Sequence, residues 1–182
     1  MTKFDQNLFT KRIQSYFAQF KTFVGQPKYT LNRGKVIVQI PYFQADREIP
    51  NSEEKFKTLG GALSLLSLGN AVEIRLVQLR YPYLDSCILG QYLAFNAGKY
   101  NFLRMKKRIF KKAKTTNKTT LLPYSLMGVK MELAGRLTTQ RSIPRKTVLN
   151  AHKGSFNVSN EESLNLSHYT SKNKVGAYTM KV

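Results

Sequence analysis

Residues 102–114 read FLRMKKRIFKKAK, with seven basic side chains in the eleven positions from Arg104 to Lys114. Advancing about 100° per residue places Arg104, Lys107, Arg108, Lys111, Lys112 and Lys114 on one arc of about 160°. Phe102, Met105, Ile109, Phe110 and Ala113 fill the opposite side. Lys106 falls near the apolar edge, where its stem can lie along a core while its ammonium reaches water. The spacing predicts a helix with one face for a core and one continuous cationic face. Six like-charged pairs (104–107, 104–108, 107–111, 108–111, 108–112 and 111–114) each oppose that helix by about 0.2–0.5 kcal/mol. No acid occurs between Asp85 and Glu132 to offset any of them. A merely solvated face would mix in glutamates, so the pattern points to an anionic partner.

The rest of the chain carries the same signal. Its 182 residues hold 30 Lys and Arg against 10 Asp and Glu, a net charge of +20. That imbalance strains a compact monomer by self-repulsion unless a polyanion supplies counter-charge. Nucleic acid is the commonest such polyanion, ahead of an anionic membrane surface. Between Lys99 and Lys153 lie 15 basic residues and one acid, Glu132, which concentrates the charge in the C-terminal half. Lysines outnumber arginines 20 to 10, a bias suited to phosphate contacts rather than planar base recognition. The aromatic residues of the basic segment sit mostly on the predicted core side. That arrangement favours backbone and shape recognition of structured nucleic acid over base stacking.

Catalytic chemistry has little to stand on. The single cysteine, Cys87, lies among apolar neighbours, and excludes both an intrachain disulfide and a Cys-rich zinc site. Neither histidine, His152 or His168, has a carboxylate at useful spacing, and the basic half has no carboxylate pair to hold a metal ion. LGGALSLLSLG, residues 59–69, is a glycine-punctuated helix and no phosphate cradle. No enzyme, metal or cofactor is expected. The longest apolar stretch, Leu59 to Val72, falls short of the roughly 20 residues a bilayer requires. The N-terminal stretch lacks the apolar region of a secretory signal and reads as an amphipathic helix.

Working outward, a first helix is expected from about Gln6 to Phe23, ended by Gly25 and Pro27. KVIVQIPYF (35–43) alternates as a strand, and Pro41 places its end near a sheet edge. Asn51 or Ser52 caps a second helix over Glu53 to Leu68, and AVEIRLVQLRY (71–81) reads as a second strand. The longest helix is expected from Ser86 to Ala113, roughly 42 Å at 1.5 Å per residue, with Gly98 a point of bending or breakage. A strand entered at Gly128 alternates Val129, Met131 and Leu133 with Lys130 and Glu132. Thr147 to Val158 and Lys174 to Val182 are further strands, joined by a long polar loop, NEESLNLSHYTSKN (160–173). The order predicts an α+β chain in two halves, 1–81 and 82–182, the second a long basic helix packed on a mostly antiparallel sheet.

At this point the residues resemble a family. The helix and the strand MGVKMELAGRL that follows it resemble the C-terminal domain of the universal ribosomal small-subunit protein three. That family carries a helix of the form F-R-R-x-x-K-R and a strand of the form G-x-K-V-x-x-x-G-R-L. Phe102, Arg104, Lys107 and Arg108 match the helix, with Leu103 in place of its first arginine. Gly128, Lys130, Gly135, Arg136 and Leu137 match the strand. KGSFNVSN and KNKVGAYTMKV resemble the next two strands, and VEIRLVQLRYPYLDSCILGQYLA resembles the passage out of a preceding KH domain. A KH domain clamps nucleotides with a G-x-x-G loop, and QADREIPNSEE, the corresponding place, has no glycine. The first half therefore reads as a KH-like remnant. The short, tryptophan-free, Lys-, Asn-, Phe- and Tyr-rich chain is most similar to the fungal mitochondrial members.

The resemblance implies a structural protein in the head of the small mitochondrial ribosomal subunit. Such a protein binds small-subunit rRNA, neighbours other head proteins and lines the channel through which mRNA enters. Carried across by position, Arg104 and Lys107 would face that channel. Arg108, Lys111, Lys112 and Lys114 extend the same surface, and Lys130, Arg136, Arg141 and Arg145 are rRNA-contact candidates. The other reading of the charge is an organelle RNA-binding factor that helps introns splice, in the manner of a maturase. A basic membrane-surface protein would need an exposed apolar face beside the charge, and the apolar stripe here is better used as core.

Overall fold

The computed structural model describes residues 5–20, 22–32, 34–44, 53–67, 70–115, 126–140, 142–156 and 164–182. The chain divides into two compact units, Met1–Tyr81 and Pro82–Val182, each with its own sheet and core.

In the first unit, helix α1 (Gln6–Ala18) starts where the Asp5 carboxylate accepts from the backbone N–H groups of Asn7 (3.0 Å) and Leu8 (3.4 Å), occupying donors that a helix start leaves unpaired. Strands β1 (Thr22–Val24), β2 (Lys28–Asn32) and β3 (Lys35–Gln44) precede helix α2 (Glu53–Leu66) and strand β4 (Ala71–Gln78). β3 is the centre of the sheet. β2 pairs antiparallel with its first half, β1 antiparallel with its last three residues, and β4 runs parallel along its other side. Val36, Val38 and Ile40 point from β3 into a core shared with Phe9, Ile13 and Phe17 of α1 and Leu59 and Leu63 of α2.

Three sequence expectations change here. α1 stops at Ala18 and Thr22–Val24 turns into a strand, because Thr22 and Val24 are bound into the β3 ladder rather than onto the helix. Pro41 lies inside the central strand, at the point where β3 exchanges β2 for β1 as its antiparallel neighbour. Its missing donor costs little there, and its carbonyl still accepts from Gly25 N–H at 2.9 Å. β2 was not expected as a strand: four of its five residues are exposed, so it has no apolar alternation to read. The proposed α2 caps, Asn51 and Ser52, lie outside the described residues.

In the second unit, a single turn of 3-10 helix (Pro82–Leu84) leads into helix α3 (Ser86–Ala97), capped by the Asp85 carboxylate on Ile88 N–H at 3.1 Å. The long helix expected from Ser86 to Ala113 is two helices. The chain leaves α3 at Gly98 and begins α4 (Phe102–Lys112) at Asn101, whose side chain accepts from Arg104 N–H at 3.0 Å. The break allows both helices to cover one sheet. Strands β5 (Gly128–Gly135), β6 (Val148–Gly154), β7 (His168–Asn173) and β8 (Gly176–Lys181) form it in the order β6-β5-β8-β7, antiparallel throughout. Val129, Met131, Leu133 and Met180 meet Leu89, Leu93, Ala97, Phe102, Met105 and Ile109 in the core. β7 occupies part of what the sequence presents as a polar loop. The architecture is α+β, with one parallel pair among otherwise antiparallel strands.

Two strands also close the helix ends. The Tyr178 hydroxyl of β8 donates to Ala94 O at 3.0 Å. The Lys153 ammonium of β6 donates to Phe110 O (2.7 Å) and Ala113 O (2.8 Å), and Tyr83 Oη donates to Lys112 O at 3.2 Å. The last carbonyls of a helix have no partner within it. Side chains from the sheet and from the 3-10 turn supply those partners.

Candidate nucleic-acid interface

Helix α4 positions the cationic face as its periodicity predicts. Phe102, Met105, Ile109 and the following Ala113 are buried, each at or below 4% exposure, and this anchors the helix by about 1.5–3 kcal/mol for each large side chain. Arg104, Lys107, Arg108, Lys111 and Lys112 are exposed on the other side, Lys114 is exposed just past the helix end, and Lys106 is half-buried at the boundary. Among the described residues the ion pairs are Lys35–Glu73, Arg75–Glu73 and Lys181–Glu132. None of them reaches α4, so its cations have no carboxylate neighbour within ion-pair distance there.

The remaining sequence candidates are not gathered at this face. Lys130 alternates with the buried Val129 and Met131, so it projects from the opposite side of the sheet to α4, alongside Asn150 and His152. Arg136 is half-buried and donates to Gln140 O at 3.2 Å, while its own carbonyl accepts from Asn173 Nδ2 at 2.9 Å. This side chain braces the turn after β5. Gly135 before it has φ 108°, a conformation in which a Cβ would stand 2.7 Å from Ala177 O. Arg145 is exposed in the segment leading to β6. Arg141 lies outside the described residues.

Two features are absent from the sequence reading. Lys153, which by position adds to the basic patch beside His152, instead points into the end of α4. Around the α3–α4 turn, the Arg104 guanidinium lies 4.6 Å from the centroid of the Tyr100 ring and the Lys99 ammonium 5.8 Å from that of Phe95, both within cation–π range. The spacing of four residues in each pair, 95–99 and 100–104, is the sequence signal that could have found them.

Among the described residues, no group of three His, Cys, Asp or Glu side chains could hold a metal ion. No helix there is long and apolar enough to cross a membrane. What the arrangement can do is hold a polyanion along a rigid, core-anchored helix.

A family described as mitochondrial ribosomal protein (VAR1) matches residues 22–182. The small ribosomal subunit protein uS3m of Mycosarcoma maydis is 34% identical over 179 residues, an alignment spanning 88% of this chain and 66% of that relative's length.

Proposed function

This chain belongs to the VAR1 family of mitochondrial ribosomal proteins, and from that membership we propose that it is a structural component of the small mitochondrial ribosomal subunit that binds small-subunit rRNA. The family acts in the mitochondrion and contributes structure rather than catalysis. The observation that carries the rRNA reading is the cationic face of α4, with five exposed basic side chains in eleven residues and, among the described residues, no carboxylate paired to any of them. An RNA backbone supplies the counter-charge such a face lacks.

In finer detail, Arg104 and Lys107 face incoming mRNA, and Arg108, Lys111, Lys112 and Lys114 extend the surface along rRNA. Lys130 and Arg145 serve a separate rRNA contact away from α4, and Arg141 is assigned with them by its place in the sequence. Arg136 acts through its turn. Neighbouring head proteins are the other expected partners. The first unit is a KH-like remnant. Its parallel β3–α2–β4 connection supports that reading, and the glycine-free segment 44–54 leaves it without a nucleotide clamp.

Sedimentation tests the proposal. The chain should migrate stoichiometrically with small subunits through a high-salt gradient, and charge reversal at Lys107, Arg108 and Lys111 should release it. Recovery with intron RNA or with lipid vesicles, and absence from the subunit peak, would overturn it.

A further inference from the structure

The α3–α4 turn carries more than charge. Phe95, on the last turn of α3, leaves 51% of its surface in solvent, and Leu103, on the first turn of α4, leaves 59%. Exposed aromatic and aliphatic surface of this size beside a cationic helix is poorly explained by phosphate binding, which needs no ring. Lys99 lies over Phe95, and Arg104 lies over the half-buried Tyr100. The Tyr100 N–H and Lys99 N–H both donate to Asn96 O at 3.0 Å, and Asn101 caps α4. The backbone bearing both pairs is therefore fixed before any ligand arrives. Arg104, whose guanidinium carbon lies 4.6 Å from the Tyr100 ring centroid, is exposed and can meet a base on its solvent side.

We infer that this turn is a stacking platform for unpaired nucleobases, with the Phe95 ring and the Arg104–Tyr100 pair as the stacking surfaces and Lys99 as the phosphate contact. The inference rests on the RNA-binding reading above and adds a base-contacting element that charge alone does not supply. Unpaired bases stack on aromatic rings and on arginine planes, whereas bases inside a duplex have no free face to offer. Leu103 adds exposed apolar surface on the first turn of α4.

The test uses the full chain, a single-stranded RNA of about ten nucleotides carrying 2-aminopurine, and a hairpin duplex of equal length. Binding to the single strand should quench the 2-aminopurine fluorescence. Phe95→Ala and Tyr100→Ala should each weaken single-strand binding roughly 5- to 30-fold, leaving the slope of log affinity against log salt unchanged. Duplex binding should move less than twofold. Phe95→Tyr should bind like the parent. Phe95→Leu, which keeps the exposed apolar surface but loses the ring, should show the loss and separates stacking from misfolding. Unchanged affinity for Phe95→Leu, or binding without quenching, refutes the platform and leaves the RNA-binding reading standing. Failure of the parent chain to bind either RNA overturns both. Parent-like RNA binding by Phe95→Ala, together with release of a neighbouring protein from assembled subunits, would make Phe95 a protein contact and also refutes the platform.

Discussion

Replacing Lys153 with methionine should loosen the end of α4 and leave the electrostatics of RNA binding nearly untouched. The substitution keeps an unbranched stem of similar length, with sulfur in place of Cδ, and deletes the ammonium. That ammonium donates to Phe110 O at 2.7 Å and Ala113 O at 2.8 Å. Both carbonyls stand at the negative end of the helix dipole, without intrahelical partners. A hydrogen bond from a charged group contributes about 1.5–3 kcal/mol. The two bonds share one half-exposed cation, and Lys111, Lys112 and Lys114 repel it, so the net effect is about 2 kcal/mol. Amide exchange is the sharpest assay. The Ala113 N–H, bonded to Ile109 O at 2.8 Å, should exchange roughly 30-fold faster, since about 1.4 kcal/mol is a factor of ten. The salt dependence of RNA affinity should not change, because the ammonium is already engaged. Parent-like exchange at Ala113, or a salt slope reduced by about 0.7–0.9, would refute this reasoning and make Lys153 a phosphate ligand.

Three further outcomes follow from the same structure. Tyr178→Phe removes the buried hydroxyl that donates to Ala94 O. It should destabilise the C-terminal unit by about 1–2 kcal/mol in urea unfolding, with its fold retained in circular dichroism. Gly135→Ala forces a side chain into φ 108°, against Ala177 O at 2.7 Å. The expected loss is at least about 2 kcal/mol by thermal melting, and a neutral result would mean that the turn after β5 relaxes freely. Lys35 and Arg75 hold the Glu73 carboxyl below its ordinary value of 4.5. A depressed carboxylate stabilises the fold above its unfolded-state value, and that contribution is lost as pH falls through the folded one. An NMR titration should place Glu73 below 4.5, and Glu73→Gln should flatten the acid-side loss of stability in the N-terminal unit.

The elements legible in the sequence are those with one buried face. β3 announces itself through Val36, Val38 and Ile40, β5 through Val129, Met131 and Leu133, and α4 through Phe102, Met105 and Ile109. Periodicity records burial, and where little is buried it records nothing. β2 and β7 are flanking strands in which most residues are exposed, and neither carries an alternation to read. The break between α3 and α4 falls at Gly98, the point of bending or breakage that the sequence offers, and Asn101 directly before the apolar run is its second local signal. The cationic face was legible because five of its members fall within the eleven residues of α4 and Lys114 lies just past its end. Lys153 and Arg136 were not distinguishable from free cations. Their partners, the carbonyls of Phe110 and Ala113 for Lys153 and of Gln140 for Arg136, are backbone atoms whose positions are set only by the folded chain.

The closure of the helix ends by strands has a consequence for synthesis. A ribosome makes each helix before the strand that clasps it. Lys153 follows Phe110 by 43 residues, and Tyr178 follows Ala94 by 84. Contacts of that sequence separation form late, after long loops have been closed. While residues 102–112 are emerging, their cations are present with no sheet to aim them, and only nonspecific attraction to RNA is available. The end of α4 is held once β6 has paired with β5 and Lys153 is in place. The proposed RNA-binding face is thereby tied to completion of β6 rather than of α4 itself.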